Sequence, residues 1–379
     1  MKKHICHLTS VHPRFDIRIF IKQCCSLLTN GYKVTLIVAD GLGDQIVDKI
    51  QILDIGNEKG RLARIRKIPK RILQKAIEVD ADLYQFHDPE LISVGLKLKK
   101  LDKKVIFDSH EDVAQDILIK PYMRPWIRKI ISRMYAKYEE YACRIFDGVI
   151  AATPYIANKF LEMTPSVANI NNFPILGELE VEASWSSKEK EVCYVGVITA
   201  KRGIKELVKA FEYTKQPVHL NLVGRFAELD TEHEVKSMNG FNKVKEYGFI
   251  NRQEVGKVLR KSMVGVVTLH PVSTYKVGLP IKMFEYMSAG IPMIVSDFSL
   301  WKEILGDEDC CLFVDPLSPN EIAAAIDFFI KHPRRAAQMG ENGKRLVEDK
   351  YNWAQEKSKL FQFYETLLEE KKENLCVEL

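Results

Sequence analysis

The sequence predicts an α/β protein built from two doubly wound parallel sheets, one in each half of the chain. Short apolar runs that end in polar residues alternate with helical segments along almost the whole length. At 379 residues the chain is too long for one compact core. The alternation also breaks once near the middle, where we expect a domain boundary.

Five apolar runs predict buried strands in the first half of the chain. In order they are HICHLTS, KVTLIVAD, ADLYQFHD, KKVIFDSHE and DGVIAATP. Amphipathic segments such as RIFIKQCCSLLTNG and LISVGLKLKKLDK lie between them. From Ile127 to Ile145 the apolar residues recur at the spacing of a helix face. Strands separated by helices favour a parallel sheet with both faces covered.

A polar stretch without periodicity, residues 171–191, predicts a linker between two domains. Alternation then resumes with the runs VCYVGVIT, PVHLNLVGRF, KVKEYGFI, MVGVVTLHP, IPMIVSD and CCLFVDP, and a long final helix follows. We therefore expect a first domain over residues 1–172, a linker over 173–190, a second domain over 191–350, and a C-terminal helix and tail over 351–379.

Composition and charge describe an ordinary cytoplasmic protein. Charged residues make up 28% of the chain, and the eight cysteines include no C-x-x-C pair. Such spacing suits neither a zinc site nor a disulfide framework, so we expect a reducing compartment. The first residues have no apolar run of the kind that signal peptides contain. No window reaches the ~18 apolar residues that a membrane span needs.

The stretch YKVGLPIKMFEYMSAGIPMIVSD, residues 275–297, places one glutamate on an apolar helix. Pro280 suits the start of this ten-residue helix and Gly290 suits the position after its end. The helix N-terminus attracts an anion, and the Glu285 carboxylate is an acceptor for a vicinal diol such as a ribose. The alternative is an ion pair between Glu285 and Lys282 on a solvated face. This stretch alone does not decide between them.

Polar side chains follow three of the predicted strands in the first half. They are His12, Asp16 and Arg18 after the first strand, His87, Asp88 and Glu90 after the run ADLYQF, and Asp108, His110, Glu111 and Asp112 after the run KKVIF. In parallel sheets ligands bind beyond the carboxyl ends of the strands. Three histidines at such ends favour a functional site over separate structural roles. There is no H-E-x-x-H motif and no D-x-D motif of the kind that holds a divalent ion on a diphosphate, so we expect no metal.

A basic loop follows the first predicted strand of the second half. It contains Lys201, Arg202 and Gly203. A cation here is expected to face the Gly278 loop across the same sheet edge. Together a guanidinium and a helix N-terminus make a diphosphate site. The alternative is a surface loop that is basic without binding an anion.

These motifs resemble those of a known enzyme family. The stretches YVGVITAKRGIKEL, PIKMFEYMSAGIPMIVSDF and MGENGKRLVEDKYNW resemble the second domain of the GT-B-fold, family-4-type retaining glycosyltransferases. The stretches SVHPRFDIRIF, FHDPEL and FDSHED resemble the first domain of a bacterial branch that builds surface polysaccharides. The resemblance covers residues 3–364. It implies two Rossmann-like domains facing a central cleft, with the C-terminal helix packing back toward the first domain.

The resemblance also assigns roles to residues. Glu285 matches the glutamate that holds the donor ribose, and Arg202 matches the lysine that neutralises the diphosphate. His87 matches the histidine beside the reacting carbon of the donor sugar. The remaining donor-site candidates are Gly278 and Leu279, whose loop faces the diphosphate, and Gly196 and Gly203. Candidates for the acceptor side or the first loop are Asp16, Arg18, Asp88, His110 and Glu111.

Three positions depart from the family pattern. The first glutamate of the family's E-x7-E motif falls at Val277, so a usual carboxylate partner of the donor sugar is absent. The arginine after the first strand of the second domain falls at Val197, which leaves Arg202 as the one clear cation. The stretch RFDIR replaces the usual glycine pair of the first loop. We expect Arg18, at the start of a helix there, to contribute to phosphate contacts.

The resemblance implies transfer of a hexose-type sugar from a nucleotide diphosphate sugar to an acceptor hydroxyl, with retention of configuration and without a metal or other cofactor. The expected acceptor is a lipid-linked glycan intermediate of cell-surface polysaccharide. Two other classes remain as alternatives. A nucleotide-sugar epimerase on the same fold requires a carboxylate-rich site. A nucleic-acid-binding protein requires base-stacking aromatics, which the basic runs lack, so we expect no nucleic-acid partner.

Two basic segments in the first half predict contact with an anionic membrane. Residues 59–75 contain eight Lys and Arg and no acidic residue, and a second basic run begins at Lys120. The second run opens with Tyr122, Met123 and Trp126, side chains suited to a headgroup interface. We expect reversible docking on the inner face of the plasma membrane. The alternative is that the apolar stripe from Ile127 packs on the sheet and its basic face is only solvated.

Overall fold

The computed structural model describes residues 2–120, 123–179 and 185–369. By their contacts the residues form two compact units. The first unit comprises Met1–Asn172 with Ala354–Leu379, and the second comprises Phe173–Trp353. The first unit is therefore discontinuous in sequence, since it takes in the C-terminal segment.

An eight-stranded sheet forms the centre of the first unit. In chain order its strands are β1 (His4–Leu8), β2 (Lys33–Val38), β3 (Gln45–Val47), β4 (Ile50–Asp54), β5 (Leu83–Phe86), β6 (Lys104–Ser109), β7 (Gly148–Ala151) and β8 (Val167–Asn169). Their order across the sheet is β3-β4-β2-β1-β5-β6-β7-β8. All neighbours are parallel except β3 and β4, which pair antiparallel at one edge. The predicted parallel sheet is confirmed.

Three strands of this sheet were not expected from the sequence. β3 and β8 have only three residues each and are at the two edges of the sheet. β4 alternates buried and exposed residues, with Gln51 exposed between Ile50 and Ile52. Strands that are very short, or that contain exposed polar residues, lack the continuous apolar run by which the five central strands were found.

Helices connect the strands of the first unit. They are α1 (Cys25–Thr29), α2 (Arg61–Val79), α3 (Ile92–Lys99), α4 (Val113–Leu118), α5 (Pro125–Cys143) and α6 (Pro154–Leu161). A π-helix over Ile17–Cys24 runs directly into α1. Its start is fixed by Asp16, whose carboxylate accepts hydrogen bonds from the backbone N–H groups of Arg18 and Ile19 at 2.8 and 2.9 Å. This cap directs the Arg18 side chain toward the sheet.

The second unit contains a six-stranded parallel sheet. Its strands are β9 (Glu191–Val195), β10 (His219–Val223), β11 (Val244–Gly248), β12 (Val264–Val267), β13 (Met293–Ser296) and β14 (Cys311–Val314). Their order is β11-β10-β9-β12-β13-β14. All six correspond to the apolar runs of the sequence. Along β13, Ile294 belongs to one core cluster while Met293 and Val295 belong to another, so both faces of the sheet are covered.

The helices of the second unit follow the strands in regular succession. They are α7 (Ile204–Tyr213), α8 (Leu229–Ser237), α9 (Arg252–Lys261), α10 (Ser273–Lys276), α11 (Ile281–Ser288), α12 (Ser299–Leu305), α13 (Pro319–Lys331) and α14 (Pro333–Asp349). Helix α11 is the helix expected from Pro280 and Gly290. Pro280 is its N-cap residue, and Gly290 lies past its end with a φ of 65°.

Part of the segment expected to be a linker lies in the core of the second unit. Phe173 and Leu179 are buried there, and Phe173 contacts the rings of Phe284 and Tyr351 at centroid distances of 4.6 and 5.2 Å. Residues 180–184 of that segment lie outside the described residues. The second unit thus begins at Phe173 rather than at residue 191.

The last helix, α15 (Trp353–Glu369), packs on the first unit, as expected. Leu360, Tyr364 and Leu367 are buried. The Tyr364 hydroxyl donates to the Gln85 side-chain oxygen on β5, and Glu356 accepts a hydrogen bond from the Asn171 backbone N–H at 2.6 Å. Residues 370–379 of the expected helix and tail lie outside the described residues.

None of the helices in the described parts of the chain is both long enough and apolar enough to cross a bilayer.

Helix α11 is held against β12 by a close contact that only glycine permits. A Cβ atom on Gly265 would lie 2.3 Å from the ring of Tyr286, which is fully buried. The Tyr286 hydroxyl also accepts a hydrogen bond from the Val195 backbone N–H at 2.9 Å. The glycine therefore sets how near α11 lies to the sheet.

We expect Gly265→Ala to lower the free energy of unfolding by ~1–3 kcal/mol, because the added methyl group overpacks the core and displaces the Tyr286 ring. Urea denaturation measures the change. Gly306→Ala is the matched control, since a Cβ there meets nothing within 4 Å. Its effect should stay within about 0.5 kcal/mol. Equal effects of the two substitutions would contradict the proposed contact.

Candidate active-site residues

The carboxyl ends of β1, β5 and β6 bring the polar residues of the first unit together. β1 pairs with β5 so that Leu8 lies opposite Phe86, and β5 pairs with β6 so that Phe86 lies opposite Phe107. The residues that follow these three positions therefore emerge side by side. Together with His7 within β1 and Arg18 in the π-helix, they form a polar cluster that includes His87, Asp88, Asp108 and His110.

Asp108 is the buried centre of the polar cluster. Arg18 donates to both carboxylate oxygens, from Nη2 at 2.7 Å and from Nε at 3.2 Å. Gln23 and Gln85 donate to Oδ2 at 2.8 and 3.2 Å. Burial raises the pKa of Asp108, but Arg18 and the neighbouring histidines outweigh it and hold the pKa well below its usual range. The carboxylate is therefore ionised and fully partnered.

His87 is enclosed in the same network. Its Nδ1 lies 3.0 Å from Asp108 Oδ2 and its Nε2 lies 3.0 Å from His7 Nδ1. If Nδ1–H donates to the carboxylate, Nε2 accepts from His7 Nδ1–H. Burial lowers the pKa of both rings, despite the opposing effect of Asp108. Both histidines are therefore neutral at pH 7.

Burial of His87 conflicts with its expected role beside the donor sugar. Its side chain is 0% exposed and both ring nitrogens have partners, so a ligand cannot touch the ring in this conformation. His110 is the accessible ring of the pair. Its side chain is 21% exposed, and its Nε2 lies 3.3 Å from Asp108 Oδ2. Sequence reasoning found both histidines but had no signal for which one is exposed.

Arg18 also differs from its expectation. The guanidinium is buried, is held by Asp108, and donates from Nη1 to the Ile170 carbonyl at 2.8 Å. Because its donors are used inside the fold, it is not placed to bind phosphate. The expectation of phosphate contacts from Arg18 is therefore wrong for this conformation.

Asp88 and Asp16 organise the loop after β1. Asp88 Oδ2 accepts from Thr9 Oγ1 at 2.8 Å and from the Ser10 backbone N–H at 2.5 Å. His12 bridges the two carboxylates, 3.4 Å from Asp88 and 3.5 Å from Asp16. Burial raises the pKa of Asp16, but the hydrogen bonds from His12 and from the Ile19 backbone N–H outweigh burial and lower the pKa to about 2. Both carboxylates support the loop from inside.

Glu111 is an exposed carboxylate beside α4. It shares a hydrogen bond with Asp116, and the pKa of Asp116 is raised to about 7 by burial and by the charge of Glu111. Two carboxyl groups so close together hold one proton between them near neutral pH. Of the candidates in the first unit, Glu111 is exposed, and the side chains of Asp16 and His110 are 24% and 21% exposed.

One cluster in the described chain has the spacing of a metal site. Ligand atoms of His87, Asp108 and His110 lie within 4.8 Å of one another. The Asp108 oxygens, however, are already bound by Arg18, and His87 is bound on both nitrogens. A divalent ion would displace these hydrogen bonds and lie beside a guanidinium. The donor set fits a hydrogen-bonded cluster better than a metal site.

In the second unit, Glu285 lies on α11 and is 9% exposed. It forms an ion pair with Arg252, whose Nη1 lies 2.6 Å from Glu285 Oε1. Arg252 also donates to Glu178 from Nε and Nη2 at 2.8 and 3.0 Å. The alternative partner considered for Glu285, Lys282, makes no ion pair with it among the described residues. No sequence signal pointed to Arg252 or Glu178.

Arg202 lies in a short turn between β9 and α7, the 3-10 segment Ala200–Arg202. Its guanidinium is half-buried, donates a long hydrogen bond, 3.5 Å, to the Val197 carbonyl, and lies close to the Tyr194 hydroxyl. Gly203 follows with a φ of 76° and is the N-cap residue of α7. A side chain at Gly203 would be strained and would collide with the Thr268 carbonyl. The guanidinium therefore retains donors for a ligand.

Gly278 and Leu279 lie in the loop that leads into α11. The Gly278 carbonyl accepts a hydrogen bond from Trp301 Nε1 at 2.9 Å, which fixes the loop. The Gly278 N–H donates to the Tyr275 carbonyl at 3.3 Å. The expectation that its amide faces a diphosphate is not met in this conformation, because the amide is used in the turn. The free N–H groups at the start of α11 remain.

We expect the buried histidines to make stability depend on pH. The pKa of His87 and His7 is lowered in the folded protein, whereas a histidine of the unfolded chain has a pKa of about 6.5. As pH falls, the unfolded chain therefore binds protons at a higher pH than the folded protein does. The stability they contribute is present above pH ~6.5 and is lost as pH falls toward their folded pKa. His87→Gln should therefore give a shallower dependence of unfolding free energy on pH between about 7.5 and 5.5.

Comparison of His87→Gln with wild type isolates this contribution, since His12 and Asp116, whose raised pKa values act in the opposite direction, are present in both proteins. Urea denaturation at several pH values measures the two slopes. Parallel pH curves for the two proteins would show that His87 is not held neutral by the fold.

Known families match both halves of the chain. A sequence profile of the glycosyltransferase family 4 matches residues 22–169, and a profile described as glycosyl transferases group 1 matches residues 178–346. The chain is 20% identical over 300 residues to the MMP alpha-(1->4)-mannosyltransferase of Mycolicibacterium hassiacum, which covers 75% of the chain and 72% of that protein. It is 21% identical over 322 residues to the phosphatidyl-myo-inositol mannosyltransferase of Mycobacterium leprae, which covers 81% and 80%.

Solved structures share the fold across nearly the whole chain. Sucrose-phosphate synthase from Thermosynechococcus elongatus superposes with a TM-score of 0.75 at 18% identity, covering 97% of this chain and 99% of that one. Anabaena HepE in complex with UDP superposes with a TM-score of 0.71 at 14% identity, covering 97% and 100%. Neither the epimerase nor the nucleic-acid-binding alternative is favoured by these matches. The chain therefore belongs to the family-4-type glycosyltransferases with the GT-B fold.

Proposed function

We propose that the protein transfers a sugar, with retention of configuration and without a metal, from a nucleotide diphosphate sugar to a hydroxyl of a lipid-linked glycan acceptor in cell-surface polysaccharide synthesis. The observation that carries the proposal is the donor side of the second unit. A guanidinium with free donors, that of Arg202, is combined there with the start of α11 and with the carboxylate of Glu285. These groups match a diphosphate and a ribose.

The comparisons support the donor class. Anabaena HepE has been solved with UDP and with UDP-glucose, and two of the relatives are named as mannosyltransferases. A nucleotide-linked hexose is therefore the donor to test first. Both UDP-linked and GDP-linked hexoses belong in the panel, since no residue on the donor side identifies the base.

In the proposed reaction the bond between the anomeric carbon and the diphosphate breaks as the acceptor hydroxyl attacks from the same face. The leaving diphosphate takes the electron pair and, lying on the same face, accepts the proton of the attacking hydroxyl, while Arg202 and the α11 N–H groups stabilise its charge. Preorganised groups of this kind are typically worth ~2.7–4 kcal/mol each in the barrier. No protein nucleophile is required, and the described cluster suggests none.

His110 and His87 have different parts in this proposal. His110, whose ring is accessible, is the histidine that contacts the donor sugar. His87 is a positioning residue: its Nδ1 lies 3.0 Å from Asp108, and Asp108 in turn lies 3.3 Å from His110. Removing His87 should therefore reduce turnover while leaving nucleotide binding unchanged.

The donor assignment is tested by substitution. We expect Glu285→Gln to weaken nucleoside binding by ~1–3 kcal/mol, the cost of unpaired polar groups. Arg202→Ala should weaken nucleoside diphosphate binding far more than nucleoside binding, because its contact is to phosphate. Isothermal titration calorimetry with UDP, GDP and their nucleosides measures both. Arg335→Ala, which breaks only an exposed pair with Asp309, is the control.

Two outcomes would contradict the assignment. If Glu285→Gln leaves nucleoside affinity unchanged, Glu285 does not bind the ribose and serves only as the ion-pair partner of Arg252. If Arg202→Ala weakens nucleoside and nucleoside diphosphate binding equally, Arg202 does not contact the phosphate. The reaction itself is tested by donor hydrolysis across a nucleotide-sugar panel, with EDTA present, and hydrolysis that requires a divalent ion would contradict metal-independent transfer.

The proposed lipid-linked acceptor is supported by the exposed face of α5. Most of its apolar stripe is exposed, although Ala142 is buried in the core of the first unit, so the alternative of packing on the sheet applies to only part of the stripe. Trp126 is 59% exposed and Met134 is 67% exposed. The other exposed members of the stripe are Ile130, Ile131, Tyr138, Tyr141 and Ile145. Such a surface suits the headgroup region of a bilayer.

The cations of the two basic segments differ in their partners. Arg64, Lys67 and Arg71 pair with Glu90 or Glu58, and Arg128 donates to the Met123 and Leu118 carbonyls. Lys129, Arg133 and Lys137 are exposed, recur every four residues along α5, and make no ion pair among the described residues. Tyr122 lies outside the described residues.

We expect Lys129→Gln with Arg133→Gln and Lys137→Gln to weaken binding to anionic vesicles. At ~1 kcal/mol for each cation near the surface, the loss is roughly 3 kcal/mol, or about a hundredfold in partitioning. Co-sedimentation with phosphatidylcholine vesicles containing phosphatidylglycerol measures it. The control removes three cations from α9, by Lys257→Gln with Arg260→Gln and Lys261→Gln. If wild type does not bind anionic vesicles at moderate salt, membrane docking is wrong and the proposed acceptor becomes a soluble glycan.

A further inference from the structure

Lys282 carries a buried ammonium group without a hydrogen-bond partner. It is the second residue of α11, and its side chain extends over the ring of Tyr194, with Nζ 3.9 Å from the ring centroid. Among the described residues its Nζ has no hydrogen-bond acceptor. Burying an ammonium group without an acceptor is costly, so natural proteins rarely keep one unless it has a function.

Lys188, in the same unit, is a half-buried lysine whose role is structural, and its contacts can be compared with those of Lys282. It also lies over an aromatic ring, that of Trp185, at 5.2 Å. Unlike Lys282, it donates to three backbone carbonyls, those of Leu259, Arg260 and Ser262, at 3.3, 3.2 and 2.9 Å. Its ammonium group is thus fully used by the fold, whereas that of Lys282 is not.

The unpartnered ammonium lies next to Arg202. A Cβ atom placed on Gly196 would be 3.3 Å from Lys282 Nζ and 3.8 Å from Arg202 Nη1. Two cationic nitrogens therefore converge on one point over this glycine, where β9 has just ended. Like charges repel at such distances, so the convergence is unfavourable unless an anion joins them.

The carboxylate nearest in sequence does not supply that anion. Glu285, one turn further along α11, is held by Arg252 at 2.6 Å and makes no ion pair with Lys282. Burial and the charge of Arg202 lower the pKa of Lys282 to about 7, against the raising effects of Glu285 and Cys193. The side chain is therefore ready to gain a proton when an anion arrives.

We infer that Lys282 is the second cation of the diphosphate subsite, and that the missing partner of its ammonium group is the donor diphosphate bound over Gly196. The inference rests on the proposed function. It also accounts for Val197, where the family's arginine is absent, because a cation from α11 replaces one from the loop after β9. Because none of the described residues accepts a hydrogen bond from the ammonium group, it can move toward the phosphate by giving up its contact with Tyr194.

The test replaces each of the two lysines with methionine, which keeps the length of the stem and removes the charge. We expect Lys282→Met to weaken binding of UDP or GDP by about 10- to 100-fold, the effect of losing one hydrogen bond to a charged group, and to leave binding of uridine or guanosine within about twofold. Lys188→Met should lower the melting temperature and leave diphosphate affinity unchanged. Isothermal titration calorimetry and thermal denaturation give the two readouts.

A second measurement uses wild type alone. At pH 8 diphosphate binding should take up protons, since the bound anion raises the pKa of Lys282 above that of the free protein. The other charged or titratable groups around its ammonium are Arg202, Glu285, Cys193 and Tyr194. Calorimetry in two buffers of different ionisation enthalpy measures the uptake, and Lys282→Met should abolish it.

The outcomes separate the two proposals. If wild type binds UDP or GDP and Lys282→Met binds it equally well without a change in proton uptake, the role of Lys282 is wrong while the glycosyltransferase proposal stands. Equal weakening of nucleoside and diphosphate would mean a distorted site and would also overturn the role. If wild type binds neither nucleoside diphosphate, the proposed function fails and the inference fails with it.

Discussion

The buried charge of Asp108 is the constraint on which the polar cluster of the first unit depends. A carboxylate this deep is tolerated only when several donors are in place together, because each missing partner leaves it uncompensated. Arg18 reaches it from the π-helix after β1, and Gln85 and His87 reach it from β5. Gln85 is held in turn by Tyr364 of α15. The Asp108 carboxylate thus links the carboxyl ends of β5 and β6 to the π-helix directly and to α15 through Gln85. It also positions the exposed ring of His110.

The strands that the sequence did not predict, β3, β4 and β8, all lack a continuous apolar run. The central strands of both sheets are buried on both faces, so their composition alone identifies them. β3 and β8 are three-residue edge strands, and a segment this short has no periodicity that a sequence pattern can show. Pro280 and Gly290 correctly bounded α11, since capping is local chemistry. The π-helical start after Asp16 has no comparable local signal.

The candidate site shows the same division between residue type and environment. The motifs identified which residues gather at the strand ends, but exposure is decided by tertiary packing. His87 and Arg18 were expected to bind ligands, but both side chains are buried and paired with Asp108. Lys282 was considered only as a partner for Glu285, because spacing along a helix cannot reveal that Arg252 takes that position. Only the folded structure shows that the described residues offer the Lys282 ammonium group no hydrogen-bond partner.

The order of segments along the chain has a consequence for synthesis on the ribosome. The first unit consists of Met1–Asn172 and Ala354–Leu379, so about 180 residues of the second unit are made before α15. At about 5–20 residues per second that interval lasts roughly 10–35 s. Throughout it the nascent first unit lacks the helix that covers one part of its sheet and completes the hydrogen bonds of Gln85. The second unit, Phe173–Trp353, is continuous in sequence and has no such wait.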